Sequence, residues 1–145
     1  MMQLLLHRIH KTNKNKGFTL AELLVVVAIV GILVAISVPL FTAQLGKARK
    51  ATNEANMRAA KIAATAQYLV NAKDGKEVYY TYNLEKGTVS SLGPDVRPKE
   101  SEYDVKNIED ADTSRVYSDI KVGVCVENPD IPTQTTKVEI FVNKK

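Results

Sequence analysis

The dominant feature of the chain is an uninterrupted apolar run near its N-terminus. Between Phe18 and Gly46 the only charged residue is Glu22, and the 24 residues from Leu23 to Gly46 carry no charge. As an α-helix, those 24 residues span about 36 Å at roughly 1.5 Å per residue, more than the ~30 Å hydrocarbon core of a bilayer. The pattern predicts a membrane-inserted helix over residues 18–42. A buried core helix is the alternative, but the remaining chain is too short to enclose one.

Residues 43–73 continue the helical pattern in a different composition. The segment is rich in alanine, lacks proline, and repeats small or apolar side chains every three or four positions, which predicts an amphipathic helix. Gly75 is suited to a C-terminal cap. The stripe expected to pack on the rest of the protein consists of Leu45, Ala48, Thr52, Ala55, Ala59, Ile62, Ala66 and Leu69.

Residues 74–145 predict a globular β region. Glu77–Asn83 is rich in β-forming residues, and two later runs alternate apolar and polar positions, so that they form an antiparallel hairpin. The runs are Val116–Glu127 and Thr136–Asn143, separated by Asn128–Thr135. The polar segment Leu84–Arg115 is predicted to be a connecting loop. The expected fold class is α+β, with a long helical spine packed against a small antiparallel sheet.

The alternation also predicts the two faces of the hairpin. One face carries the branched residues and should lie on the helix, whereas the other carries Tyr117, charged side chains and Cys125. The apolar set is Val116, Ile120, Val122, Val124, Val126, Val138, Ile140 and Val142.

The positive charge of the chain is confined to its N-terminal arm. Residues 1–17 contain four Lys or Arg and no acid, and the remaining residues hold 16 basic and 16 acidic side chains. The formal net charge of +4 therefore gives no indication of a nucleic-acid site in the folded part.

The sequence holds little that could support catalysis. Cys125 is the only cysteine and both histidines lie in the first ten residues, so neither a metal-ligand cluster nor a Ser/His/Asp set is evident. We expect neither enzymatic activity nor a cofactor. Seven acids between Asp95 and Asp112 offer oxygen ligands for calcium, with Glu109, Asp110 and Asp112 as the weak candidates, but a solvated acidic surface is the favoured interpretation.

The segment from Lys16 to Leu33, with Gly17-Phe18-Thr19-Leu20 and Glu22 four positions after Phe18, resembles the N-terminal region of type IV pilins and pseudopilins. The resemblance covers roughly residues 14–70. It implies that a prepilin peptidase cleaves between Gly17 and Phe18 and methylates the new Phe18 amine, so that residues 1–17 are a leader. A secretory signal peptide is the rival, but the apolar run is too long for one.

The resemblance also implies how the protein assembles. Glu22 would pair with the Phe18 amine of a neighbouring subunit, while Gly31 and Pro39 would weaken the helix, because glycine has low helix propensity and proline removes a hydrogen bond. Implied partners are further copies in a helical homopolymer, the peptidase, and a membrane assembly platform with its ATPase. The location expected is the inner or cytoplasmic membrane, then an extracellular filament at the cell surface.

Three functions stay open at this point. The first is a structural subunit of a type IV pilus-like filament. The second is a major pseudopilin of a type II secretion or competence DNA-uptake system. The third is a membrane-anchored binding module that does not polymerise. The sequence does not choose between adhesion, motility, DNA uptake and secretion.

Overall fold

A computed structural model describes residues 17–71, 76–126 and 136–145 of the 145-residue chain. One long helix is followed by five strands. The helix α1 spans Leu20–Asn71, and the strands are β1 (Val78–Asn83), β2 (Thr88–Pro94), β3 (Tyr103–Val105), β4 (Ile120–Val126) and β5 (Thr136–Asn143); a short 3-10 helix, Ile108–Asp110, lies between β3 and β4. The predicted α+β fold is confirmed.

The chain divides into two compact units, Met1–Leu40 and Phe41–Lys145. Within the described part of the first unit, residues from Leu20 onward are helical, and every large apolar side chain is more than half exposed. The second unit contains the rest of α1 and all five strands. Its core forms where α1 packs on one face of the sheet.

The sheet is antiparallel throughout, with the strand order β2-β1-β4-β5-β3. The predicted hairpin of β4 and β5 is present, with Val122 opposite Ile140 and Val124 opposite Val138. The branched face is also as predicted, because Ile120, Val122, Val124 and Val142 are fully buried. The predicted turn at Asn128–Thr135 lies outside the described residues.

The face that α1 presents to the sheet differs from the predicted stripe. The buried positions are Asn53, Met57, Ala60, Ala64 and Tyr68, whereas Ile62 is 69% and Leu69 67% exposed. Alanine occurs on both sides of this helix, so its periodicity carried little information about orientation. Two polar residues, Asn53 and Tyr68, lie on the buried face because their polar atoms find backbone partners.

Leu84–Arg115 was predicted to be a connecting loop, and this prediction is wrong. The segment contains β2, β3 and the 3-10 helix. A tight turn joins β1 to β2: the Asn83 side-chain oxygen accepts hydrogen bonds from the N–H groups of Glu85 and Lys86, and Gly87 takes a positive φ of 66°. Asn83 and Gly87, two residue types common in turns, were the sequence signal from which this turn could have been predicted. The serine-rich β2 lacks a clean alternation, which concealed it.

The outer face of the sheet is covered by the segment that follows β2. Tyr79 and Phe141 are buried there with their ring centroids 6.0 Å apart, edge to face. The Arg97 guanidinium lies 5.1 Å from the Phe141 ring centroid and forms a 2.8 Å ion pair with Glu139. Burial raises the pKa of the Tyr79 hydroxyl, an effect that the hydrogen bond from Arg97 partly opposes. Gly123 is required beside Tyr79, since an added Cβ would lie 2.9 Å from the ring.

Asn53 fixes the segment before β4 on the helix. Its amide donates to the carbonyl oxygens of Asp112 (3.0 Å) and Arg115 (2.8 Å), and its oxygen accepts from the Tyr117 N–H at 2.9 Å. Because of this docking, Tyr117 is buried and Val116 is half exposed, the reverse of the faces predicted for them. For the same reason, the strand predicted from Val116 begins only at Ile120.

We expect Asn53→Ala to lower the free energy of unfolding by about 2–4 kcal/mol, because it leaves two carbonyls and one N–H without this partner. Urea denaturation of a fragment that begins near residue 43 measures the loss. The matched control is Asn56→Ala, which removes a half-buried asparagine from the same helix. Equal losses in the two variants would contradict the role given to Asn53.

A fragment that begins near residue 43 is expected to be soluble and monomeric, because the core of the second unit is formed by residues after that point. Sedimentation velocity at increasing concentrations checks this. Filament formation by the fragment alone would contradict it and would move the self-association surface out of residues 18–42.

Candidate functional site

The predicted processing segment lies at the start of α1. Gly17, Phe18 and Thr19 precede the helix, which begins at Leu20. Phe18 is 85% exposed, and a Cβ added at Gly17 would meet nothing within 4 Å. The peptide bond between Gly17 and Phe18 is therefore accessible from the surface of the subunit.

Thr19 and Glu22 form a reciprocal cap at this helix end. The Glu22 carboxylate accepts a hydrogen bond from the Thr19 N–H at 2.8 Å, and the Thr19 hydroxyl accepts one from the Glu22 N–H at 3.2 Å. This is a capping box, in which side chains satisfy two backbone donors that the first helical turn leaves unpaired. The threonine and the glutamate three positions later were its sequence signal, and the role of Thr19 was not predicted.

The capping box gives Glu22 a definite place in the subunit. Its carboxylate lies at the positive end of the helix dipole, where a negative charge is favourable. The structure therefore brings Glu22 together with the backbone of Thr19, the residue that follows Phe18. The predicted pairing of Glu22 with the Phe18 amine involves a second subunit and stays a prediction.

Gly31 and Pro39 both lie inside the continuous helix α1. Pro39 has no N–H to donate to the carbonyl four residues earlier. Nearby, the Ser37 hydroxyl donates to the Leu33 carbonyl at 2.6 Å, which is the usual way a serine is accommodated within a helix. The helix-weakening role predicted for Gly31 and Pro39 concerns the assembled state and stays a prediction.

The weak metal candidates lie near the 3-10 helix. Asp110 accepts a hydrogen bond from the Asn107 amide at 3.3 Å, and Asp112 forms ion pairs with Lys106 (3.3 Å) and Arg115 (3.6 Å). In the described ranges, no group of three or more His, Cys, Asp or Glu side chains is placed to hold a metal ion. Cys125 is half-buried on the sheet face opposite the buried valines.

Within the part of the chain that the structure describes, α1 alone is long and apolar enough to cross a membrane. It lies near the N-terminus, and none of its most apolar window is buried in the protein. Together with the capped, exposed segment in front of it, this helix indicates membrane anchoring.

Comparison with known proteins agrees with this geometry. Residues 12–38 match the family described as "Prokaryotic N-terminal methylation motif". The chain is also similar to "Fimbrial protein EcpB" of Eikenella corrodens, with 56% identity over 36 residues; the alignment covers 25% of this chain and 23% of that protein. No solved structure matches.

The comparisons define the class to which the N-terminal segment belongs. The segment has the N-terminal methylation motif and is similar to a fimbrial protein, so the resemblance to type IV pilins seen in the sequence is confirmed for this part of the chain. The matched segment contains Gly17, Phe18, Thr19 and Glu22. The family match ends at residue 38 and the alignment with the fimbrial protein covers 36 residues, so most of the second unit is matched by neither and its fold is described by the structure alone.

Proposed function

We propose that the protein is a structural subunit that polymerises through α1 into a type IV pilus-like filament. The observation that carries this proposal is the combination of a methylation-motif segment with a helix whose apolar residues are uncovered in the subunit. An apolar surface of that extent needs lipid or other apolar helices around it. A filament core of packed α1 helices supplies such surroundings once the subunits leave the membrane.

The first step proposed is proteolytic processing on the cytoplasmic side of the membrane. A prepilin peptidase hydrolyses the amide bond between Gly17 and Phe18; water supplies the oxygen of the new Gly17 carboxylate, and Phe18 retains the nitrogen as an ammonium group. Methylation of that amine preserves its positive charge. Accessibility of the bond and the absence of a side chain at Gly17 support cleavage at this position.

The second step proposed is assembly, in which Glu22 pairs with the Phe18 ammonium of a neighbouring subunit. Packing of apolar helices excludes both lipid and water, and an unpaired carboxylate there is costly. Pairing offsets that cost and sets the axial register, because other staggers leave both charges unpaired. A platform with its ATPase, located in the membrane, would drive this transfer.

Replacement of Gly17 with a bulky residue, such as Gly17→Leu, is expected to block cleavage by at least about tenfold, because a side chain then obstructs close approach of the peptidase to the bond. Mass spectrometry of the mature N-terminus is the measurement. The control is Gly31→Ala, whose added Cβ meets nothing within 4 Å in the subunit. A wild-type mature protein that begins anywhere other than Phe18 would rule out the assigned cleavage site.

We expect Glu22→Val to be inserted and cleaved normally, yet to reduce filament yield by more than about tenfold, since an ammonium group left unpaired in the core costs about 3–5 kcal/mol. Glu22→Gln should also be impaired, because it forms hydrogen bonds without carrying charge. Filaments sheared from cells are quantified by electron microscopy and immunoblotting.

The matched control for Glu22 is Glu54→Val, which removes a carboxylate from the same helix where it pairs with Lys50 and Arg58 in the second unit. It should leave filament yield close to normal. Normal filaments from Glu22→Val would mean that Glu22 serves only to cap the helix.

A further inference from the structure

We propose that the Thr19 hydroxyl is a positioning group for proteolytic processing. By capping α1 at residue 19, it keeps the Gly17–Phe18 bond outside the helix, where a peptidase can bind the backbone. This inference rests on the cleavage step proposed above. It gives Thr19 a task in the precursor, distinct from the assembly task proposed for Glu22.

The hydrogen bonds at Thr19 define where the helix begins. Its carbonyl accepts the first helical hydrogen bond, from the Leu23 N–H at 3.2 Å, while its hydroxyl accepts from the Glu22 N–H. A residue whose side chain and carbonyl both accept from the next turn has the geometry of an N-cap, and its own backbone is not helical. Gly17, Phe18 and Thr19 accordingly lie outside α1.

Without the Thr19 cap, the N–H groups in the first turn of α1 need other hydrogen-bond acceptors. The N–H groups of Leu20, Ala21 and Glu22 have no partner four residues earlier unless the helix extends upstream. Extension by one turn would pair the Ala21 N–H with the Gly17 carbonyl, which is the carbonyl that the peptidase must attack. A scissile carbonyl held in a helix is not available to an active site that binds separated backbone.

The two hydrogen bonds of the capping box depend on different side chains, one on Thr19 and the other on Glu22. The bond that stops the helix joins the Thr19 hydroxyl to the backbone N–H of residue 22, and so survives replacement of the Glu22 side chain. The other bond, from the Thr19 N–H to the Glu22 carboxylate, depends on that side chain. Thr19 variants should therefore affect cleavage, whereas Glu22 variants affect assembly.

The test measures cleavage of the full-length precursor in membranes that contain the peptidase, by pulse-chase labelling. Thr19→Val, which keeps the shape of the side chain and removes the hydroxyl, should be cleaved about fivefold more slowly. Thr19→Ser, which keeps the hydroxyl, and Glu22→Val should be cleaved at nearly the wild-type rate. The control is Thr52→Val, which removes a hydroxyl bonded within the same helix.

A second measurement reports the backbone directly. Carbon chemical shifts of Phe18, recorded by NMR on the full-length precursor in detergent micelles, should be non-helical in the wild type and in Thr19→Ser. They should shift toward helical values in Thr19→Val. Non-helical shifts in Thr19→Val would overturn the inference, even if that variant inserts poorly and its cleavage is slow for another reason.

The outcomes also separate this inference from the proposed function. Cleavage of wild type between Gly17 and Phe18, with Thr19→Val cut equally fast, would overturn the positioning role and leave the proposed processing intact. Equal slowing in Thr19→Ser and Thr19→Val would also overturn it, because the hydroxyl would not be the group responsible. A wild-type chain that is never cut at this bond would overturn the proposed processing itself and the positioning role with it.

Discussion

The constraint on which the rest of the structure depends is an apolar helical surface that the chain cannot cover by itself. Every large apolar side chain from Leu20 to Phe41 is more than half exposed. At roughly 25 cal/mol per Å² of apolar area, contact of that surface with water is strongly unfavourable, so it must be surrounded by lipid or by other helices. This requirement favours an anchored or polymerised subunit over a freely soluble one.

The two parts of α1 differ in the residues that they expose. From Leu23 to Gly46 no charge is present, whereas residues 53–68 bury one narrow face against the sheet and expose the remainder. Small residues at Ala60 and Ala64 let the sheet approach closely, and the larger side chains of Met57 and Tyr68 pack on either side of them in the core. One continuous helix thus joins a surface that needs external partners to one that is satisfied within the subunit.

Features with strong periodicity were predictable from the sequence, and features that depend on tertiary partners were not. The β4–β5 hairpin and its buried valines followed from strict alternation, because a strand with one buried face has period two. The buried face of α1 was misplaced because Asn53 and Tyr68 look polar until their backbone partners are known. The burial of Tyr79 and Phe141 was not predicted. The segment that covers these two rings contains Arg97, and its sequence has no regular alternation of apolar and polar residues that would indicate a packed position.

Glu22 and Asn53, two polar residues of α1, both form hydrogen bonds with backbone groups, so the feature that distinguishes Glu22 is its negative charge. Asn53 uses its whole amide on three backbone groups, so it has little left to offer a second subunit. The Glu22 carboxylate accepts a backbone hydrogen bond from the Thr19 N–H, and a carboxylate has about four acceptor positions. Its cap therefore leaves room for a cationic partner. Hydrophobic packing between apolar helices is tolerant of axial sliding, so in the proposed filament a single carboxylate with spare acceptor positions would be the group that selects one stagger among many.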